Sequence, residues 1–443
     1  MKFKNLLFSI LFIIMPFVMQ AQSWYLIGQI EESVYYLSPN DVVIDGAVPY
    51  VSVYLVQKPV VMKYNGSSWE TIGEISLTVT RFSFDVEDGM VYLAYSVNNS
   101  KISVVKSDGG EWEFVGDAEF ANGGNVDIDV INGNLYIVYS DSDNNNKASV
   151  CKFNGESWDY LGSPGISSNY VTNNVLEIKA AEDDIYIVYG DIDYNEKATM
   201  MKYHNNEWSI IGEPGFSGNA LNSTKALVVW NATPYVLASN LNRKAVIYQY
   251  NGTSWEILGD ETGLGIQTPQ YKSIACSSEG VLFVSYTDPA YYGRNNLFVK
   301  KYINNTWEDV GADISTNQCD FGIIDIDNNA KPYIIYTGQD KGTKVFIKVY
   351  KDSDGIEDIQ DASLVSLSPN PAFDKVKMIN HGSQCINSYS IYDQLGREIM
   401  SDDVDIKRGE VEEIDISSLP NGIYIIEMDT DVQKISTKLI KYQ

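Results

Sequence analysis

Seven tryptophans recur along the chain at nearly constant spacing, each with a glycine four residues later: Trp24/Gly28, Trp69/Gly73, Trp112/Gly116, Trp158/Gly162, Trp208/Gly212, Trp255/Gly259 and Trp307/Gly311. The steps between the tryptophans are 45, 43, 46, 50, 47 and 52 residues. A period of about 40–50 residues with one aromatic signature per unit belongs to repeat architectures, β-propellers above all. Each such unit buries its faces only against its neighbours, so the period constrains the whole chain at once.

Within a unit the order is fixed. An alternating strand comes first, as in Val126–Val130 or Ile323–Asp327, followed by a short Gly/Asn/Asp turn. A tyrosine-flanked strand comes next: Tyr50–Tyr54, Tyr92–Tyr95, Tyr136–Tyr139, Tyr186–Tyr189, Tyr235–Ala238, Phe283–Tyr286 and Tyr333–Tyr336. A polar loop leads to a third strand, such as Val60–Tyr64, Ser149–Phe153 or Phe298–Tyr302. Asn65-Gly66, Asn154-Gly155 and Asn251-Gly252 then predict two-residue hairpin turns into the Trp strand. With 31 Tyr and an aromatic share of 12%, the composition favours strands as well. No segment reads as a helix of three turns.

The Trp strands and Tyr strands are out of phase. Trp24–Gly28 precedes every Tyr strand, and the last unit, Phe321–Tyr350, ends without a Trp strand. A ring resolves both irregularities, because the N-terminal strand can complete the final blade and cover an open edge. The predicted fold is therefore all-β: a seven-bladed β-propeller over residues 22–350, closed by its N-terminal strand. The tryptophans are expected to wedge between blades, and the glycines to let the chain turn.

Two of the four connections per unit are long: Gly162–Asn174, Gly212–Thr224 and Gly259–Tyr271 between blades, and Ser140–Lys147, Gly190–Lys197 and Thr287–Asn296 within them. In an up-and-down blade both sets emerge on one face, where ligand contacts are expected. Asp141, Asp143 and Asn145 precede Lys147, and Asp191, Asp193 and Asn195 precede Lys197. This D-x-D-x-N spacing offers hard oxygen ligands of the calcium kind at Asp141, Asp143, Asp191 and Asp193, though without the glycine and distal glutamate of an EF-hand loop. The plainer alternative is a polar hairpin closed by an Asp–Lys pair. Asp288, in the third within-blade loop, completes the set of candidate ligand-binding residues. First strands carry further acids (Asp45, Asp85, Asp127, Asp129, Glu177, Asp325, Asp327), expected to line a central channel as wet residues or as a crowded group that shifts its own titration.

Several chemistries lack their parts. The repeats hold one histidine, His204, expected to be exposed and inert, and three arginines, Arg81, Arg243 and Arg294, at unrelated points of the repeat. A Ser-His-Asp triad, a histidine zinc site and an arginine-based sialidase site are hard to build from that supply. There is no G-x-S-x-G, no glycine-rich phosphate loop and no C-x-x-C. The net charge of −27, of which residues 362–443 contribute −5, repels nucleic acid and anionic lipid. Acids alone do not exclude a glycosidase or lyase. Of the four cysteines (Cys151, Cys276, Cys319, Cys385), three lie in the repeats. Buried free thiols are expected, with a Cys276–Cys319 bridge as the alternative.

Residues 1–21 read as a secretory signal. Lys2 and Lys4 precede the apolar run Leu6–Val18, and Ala21 offers a small residue for cleavage, although Met19 fits poorly two positions earlier. No later segment approaches the ~20 apolar residues of a membrane span.

After an acidic linker, residues 351–362, the repeat stops. Residues 363–443 carry Ser368-Pro-Asn-Pro-Ala372, then Ser390-Ile-Tyr-Asp-Gln-Leu-Gly-Arg397, then Leu419-Pro-Asn-Gly-Ile-Tyr424, then Lys438-Leu-Ile-Lys441. Alternating strands with Pro/Gly turns predict a small Ig-like β-sandwich. The ordered motifs resemble the type A C-terminal sorting domain of the type IX secretion system of Bacteroidetes. The resemblance implies export by that machinery, then attachment to surface lipopolysaccharide or release. It places the sorting signal on Pro369, Asn370, Pro371, Gly396, Gly422, Tyr424, Lys438 and Lys441. The repeats are also similar, more loosely, to Trp-Gly propeller regions joined to such modules. The expectation is a monomeric, secreted, surface-displayed module that binds a glycan or protein and is not an enzyme. Calcium is the one cofactor the sequence suggests. The alternative is a carbohydrate-active enzyme using carboxylates on the loop-rich face.

Overall fold

The computed structural model describes residues 23–351 and 365–442, apart from 32–36, 56–57, 74, 76, 99, 292–293, 312–313, 315–317, 339–343, 381–384, 394–395 and 431–433. The expected signal peptide and nearly all of the expected linker lie outside the described residues. Among those described, secondary structure is strand, with two single 3-10 turns at Ser142–Asn144 and Ile192–Tyr194.

Between Ser23 and Lys351 the described strands form seven four-stranded antiparallel sheets. Six are up-and-down meanders of consecutive strands, such as Gly123–Ile131, Asn134–Asp141, Lys147–Phe153 and Trp158–Tyr160. In the seventh the outer strand is the first of the chain. Ser23–Glu31 pairs with Lys344–Lys351, with Ser23 opposite Lys351 and Trp24 opposite Tyr350. The first strand of each sheet packs on the first strand of the next, from Leu37–Asp45 through Arg81–Glu87, Gly123–Ile131, Val171–Ala181, Leu227–Trp230, Gln270–Cys276 and Cys319–Ile326, and the last packs back on Leu37–Asp45. This cyclic order is that of a β-propeller.

Burial grades outward across each sheet. Inner strands alternate, as in Arg81–Glu87, because one side packs and the other faces the axis. Second strands are sandwiched on both faces: every residue of Asp184–Asp191 is buried. Outer strands are short and mostly exposed, as at Trp158–Tyr160, which leaves little free edge for unwanted pairing.

The Trp-to-Gly spacing has a cyclic cause. Each glycine lies against the tryptophan of the following sheet: Gly28 on Trp69, Gly73 on Trp112, Gly116 on Trp158, Gly162 on Trp208, Gly212 on Trp255, Gly259 on Trp307, and Gly311 on Trp24. A Cβ on Gly212 would stand 2.5 Å from Trp255 Cδ1, and one on Gly311 would stand 3.1 Å from Trp24. The indole nitrogens of Trp24, Trp158, Trp208 and Trp255 donate to the carbonyls of Val310, Val115, Leu161 and Ile211, just before those glycines. The glycine therefore turns the chain and also accommodates the next indole.

Some turns differ from expectation. Asn65, Asn154 and Asn251 do not form two-residue hairpins. Each spans four residues, with its N–H bonded to the carbonyl of Ser68, Ser157 or Ser254, and its side-chain oxygen accepting the N–H groups of the last two residues of the turn. The amide nitrogens then hold Glu70, Asp159 and Glu256 on the outer strand. Among the described turns into a Trp strand, the two-residue ones are Asn205-Asn206 and Asn304-Asn305, where both residues have positive φ. The expected loop Thr287–Asn296 is largely a hairpin, Leu282–Tyr291 against Arg294–Ile303. No disulfide joins the four cysteines, and Cys151 and Cys319 are buried.

Residues 365–442 form a three-stranded and a four-stranded sheet around a single apolar core that includes Val376, Met378, Ile391, Ile414, Ile426 and Leu439. The motif residues fasten the last strand, Lys434–Lys441. The Asn370 side chain donates to Lys438 O at 2.7 Å and accepts from Ile440 N at 2.9 Å, mimicking a neighbouring strand between Pro369 and Pro371. The buried Lys441 ammonium bonds Phe373 O and Asp374. Tyr424 OH reaches Pro420 O at 2.7 Å, and Gly422 pairs opposite Lys441. Gly396, at φ +73, closes a turn held by Asp393 and Arg397, while the Lys438 side chain is exposed.

Candidate functional site

The loop acids are fixed in place by the loops they shape. Asp141 is 1% exposed, and its carboxylate accepts from Asp143 N (3.0 Å), Asn144 Nδ2 (2.9 Å) and Ser149 Oγ (2.6 Å). Asp191 repeats this with Asp193 N (3.1 Å) and Thr199 Oγ1 (2.8 Å). Asp288, also buried, accepts from the N–H groups of Ile266 and Gln267. Asn145 and Asn195 sit at φ +58, a left-handed position asparagine tolerates, as the C-caps of the two 3-10 turns. Lys147 and Lys197 are the strand partners of Asp141 and Asp191, but the carboxylates turn inward to hydroxyls and turn amides. Asp143 and Asp193 lie outside, accepting from Asn122 (2.8 Å) and from Ser168 and Asn169 (3.2 and 3.0 Å). Among the described residues no three His, Cys, Asp or Glu side chains are grouped to hold a metal ion.

The inner-strand acids surround the axis. Because inner strands are sheet edges, their outward N–H groups need acceptors. Asp45 accepts from Gly89 N, Asp85 from Val130 N, Asp127 from Ile178 N, Glu177 from Ala226 N and Leu227 N, and Asp325 from Ile44 N, each in the next sheet. These distances run from 2.6 to 2.9 Å. Ser273 takes the same role towards Ile324 N. Asp129 accepts from Ala180 N and pairs with Lys179, and Asp41 faces Lys225 at 3.5 Å. Asp327 instead caps its own turn.

Of these side chains, Asp41, Asp85, Asp127, Glu177 and Asp325 wall, with Lys179 and Lys225, a cavity of about 400 Å3 to which all seven sheets contribute. Asn40, Arg81, Asn125 and Thr224 stand where the inner strands enter from the long connections, so the cavity reaches the loop-rich face. Burial pushes Glu177 up to about 8, Asp85 to about 7 and Asp127 to about 6. Neighbouring carboxylates add to the rise, while Lys179 or Lys225 and the backbone N–H bonds oppose it. The Lys179 and Lys225 ammoniums are desolvated too, yet the surrounding carboxylates hold their titration above the ordinary lysine value. Lys272 has no such company. It is fully buried, its ammonium bonds Asn222 Oδ1 at 2.6 Å, and burial lowers it to about 8. His204 is exposed and pairs with Asp184, which also takes Lys202.

Residues 366–442 match the family described as secretion system C-terminal sorting domain. This module is a type IX sorting domain and implies export and attachment at the cell surface. Among the described residues no helix is long and apolar enough to cross a membrane. No curated protein matches the chain. Similar solved structures include the SapL1 lectin in complex with alpha methyl fucoside, at 12% identity and a TM-score of 0.44 over 63% of this chain and 96% of that one. A six-bladed β-propeller lectin from the fungus Aleuria aurantia is 13% identical, with a TM-score of 0.45 over 62% and 96%.

Proposed function

We propose that this chain is a seven-bladed propeller, residues 22–350, which binds a glycan at the loop-rich end of its central channel. A signal peptide, residues 1–21, starts its export. A linker, 351–362, joins the propeller to an Ig-like sorting module, 363–443, through which the monomer is passed to the type IX machinery and fixed to surface lipopolysaccharide. The observation that carries the binding reading is the cavity. It is concave and polar, it is formed by a ring of seven mutually braced sheets, and it is large enough to admit a sugar unit. A protein ligand fits an inward-opening polar cavity less well. The negative surface favours neutral or cationic ligands over uronate or sulfated ones.

One observation favours a second reading, a carbohydrate-active enzyme. Glu177 and Asp127 have titrations driven apart, to about 8 and about 6, in one cavity. The acids available for that chemistry are those of the channel, since Asp141, Asp191 and Asp288 are engaged in turns. A glycan array followed by product analysis tests both. Retained glycan with no new product supports binding, and new product that disappears in Glu177→Gln supports catalysis. A blank array and no turnover sink both.

A further inference from the structure

The two D-x-D-x-N loops share one backbone design but present different side chains. In the first, Asn122 reaches Asp143, and the neighbours are Ala121 and Asn144. In the second, Ser168 and Asn169 reach Asp193, and the neighbours are Tyr170 and Tyr194, 46% and 42% exposed. The hydrogen bonds from Ser168 and Asn169 to Asp193 therefore draw together two loops, each presenting an exposed tyrosine next to a polar clamp. Tyr194 is held from behind. Gly215, at φ +66, lies against its Cβ and ring, and any side chain at 215 would collide with it. A ring fixed in this way loses little freedom when a ligand covers it.

A second observation points to the same corner. The Tyr189 hydroxyl is buried beneath, 1% exposed, and makes no close hydrogen bond among the described residues, although the Ser168 hydroxyl stands near enough to act on it. Its counterpart Tyr139 bonds Tyr160 OH at 3.3 Å, but the residue facing Met201, where Tyr160 faces Cys151, is Ile210. After burial, Asp191, Asp193 and Tyr194 push its titration up while the Ser168 hydroxyl opposes them, which places the hydroxyl near this corner.

We propose that Tyr170, Tyr194, Asp193 and Asn169 form a second ligand site, on the rim and separate from the channel, for a neutral sugar residue. Tyrosine rings cover the C–H faces of a pyranose, while a carboxylate and an amide take adjacent hydroxyls. The fixed Asp193 charge disfavours uronic and sulfated sugars. This assignment rests on the glycan-binding reading, and its test separates the two.

The full-length mature chain is titrated with methyl glycosides of neutral hexoses, deoxyhexoses, N-acetylhexosamines and hexuronates. Saturation-transfer NMR and calorimetry report binding. Neutral glycosides are expected to bind and hexuronides to fail. Tyr170→Ala and Tyr194→Ala should each weaken binding about tenfold, and Asp193→Asn by a similar factor, at unchanged melting temperature. Tyr194→Phe should retain the affinity and Asp143→Asn should leave it untouched. Binding that survives both alanine variants but falls in Asn125→Ala at the channel mouth overturns the rim site and leaves the glycan reading standing. A wild-type chain that binds none of the glycosides overturns both.

Discussion

Asp141 and Glu177 are both acids of this ring, yet their surroundings set them to different tasks. Asp141 lies on the rim, buried under its own turn, with three donors aimed at its carboxylate. Glu177 lies at the axis, where it takes two N–H groups of the neighbouring sheet and titrates near 8. Asp141 organises a single loop, whereas the axial acids join one sheet to the next, and Glu177 among them keeps a proton near neutral pH. The position of a carboxylate in the repeat thus says more about its role than its neighbours in sequence do.

The largest expected effect comes from removing a rim acid. Asp141→Ala leaves Ser149, Asn144 and the Asp143 N–H without their acceptor and should cost about 3 kcal/mol. Denaturant unfolding measures it, and a loss below about 1 kcal/mol would put Asp141 among the ordinary surface acids. The axial acids should show themselves through pH. Asp85, Asp127 and Glu177 titrate above their unfolded values, so the folded ring holds more protons than the unfolded chain from about pH 4 to 8. Their stabilising contribution is full in acid and is lost as pH rises through that window. The melting temperature should therefore fall from pH 5 to pH 9, and Glu177→Gln should flatten the upper part of the curve. A melt that rises over the same range would reverse the assignment. Lys272, also on an inner strand, has the opposite sign: burial lowers it to about 8, so above that pH the folded state gives up a proton that the unfolded chain keeps until its ordinary value near 10.5, and stability rises with pH through that window. Lys272→Met should stabilise the protein by about 1 kcal/mol at pH 7, and destabilisation would mean that the ammonium has a role its single bond to Asn222 does not reveal. The smallest effect belongs to Asp143→Ala, within about 0.5 kcal/mol of wild type, with no melting shift on adding calcium. A calcium-dependent shift that this variant abolished would restore the metal reading.

Much of the frame was legible because the repeat states it seven times over. The tryptophans, the Tyr-flanked strands and the phase of Trp24 all follow from spacing. The glycines were legible as turn residues, but their contact with the next indole spans two sheets and has no local signature. Asp85, Asp127 and Glu177 could be read as inner-strand acids. Which amide each one holds depends on how far one sheet is offset against the next, and no pattern within a strand encodes that offset. The D-x-D-x-N loops drew attention as oxygen clusters, whereas Asp141 and Asp191 turn inward because Ser149 and Thr199 stand across the hairpin. Tyr170 and Tyr194 carried no signal among 31 tyrosines, since only burial separates a core ring from an exposed one.

The pairing of Ser23–Glu31 with Lys344–Lys351 also sets a schedule. Synthesis delivers the chain from its N-terminus, so the earliest strand waits for a partner more than 300 residues away. Until that partner arrives the ring is an open arc with one sheet incomplete and the Gly311–Trp24 contact unmade. The clasp can shut only after the last repeat has been made, which ties completion of the fold to the end of the ring.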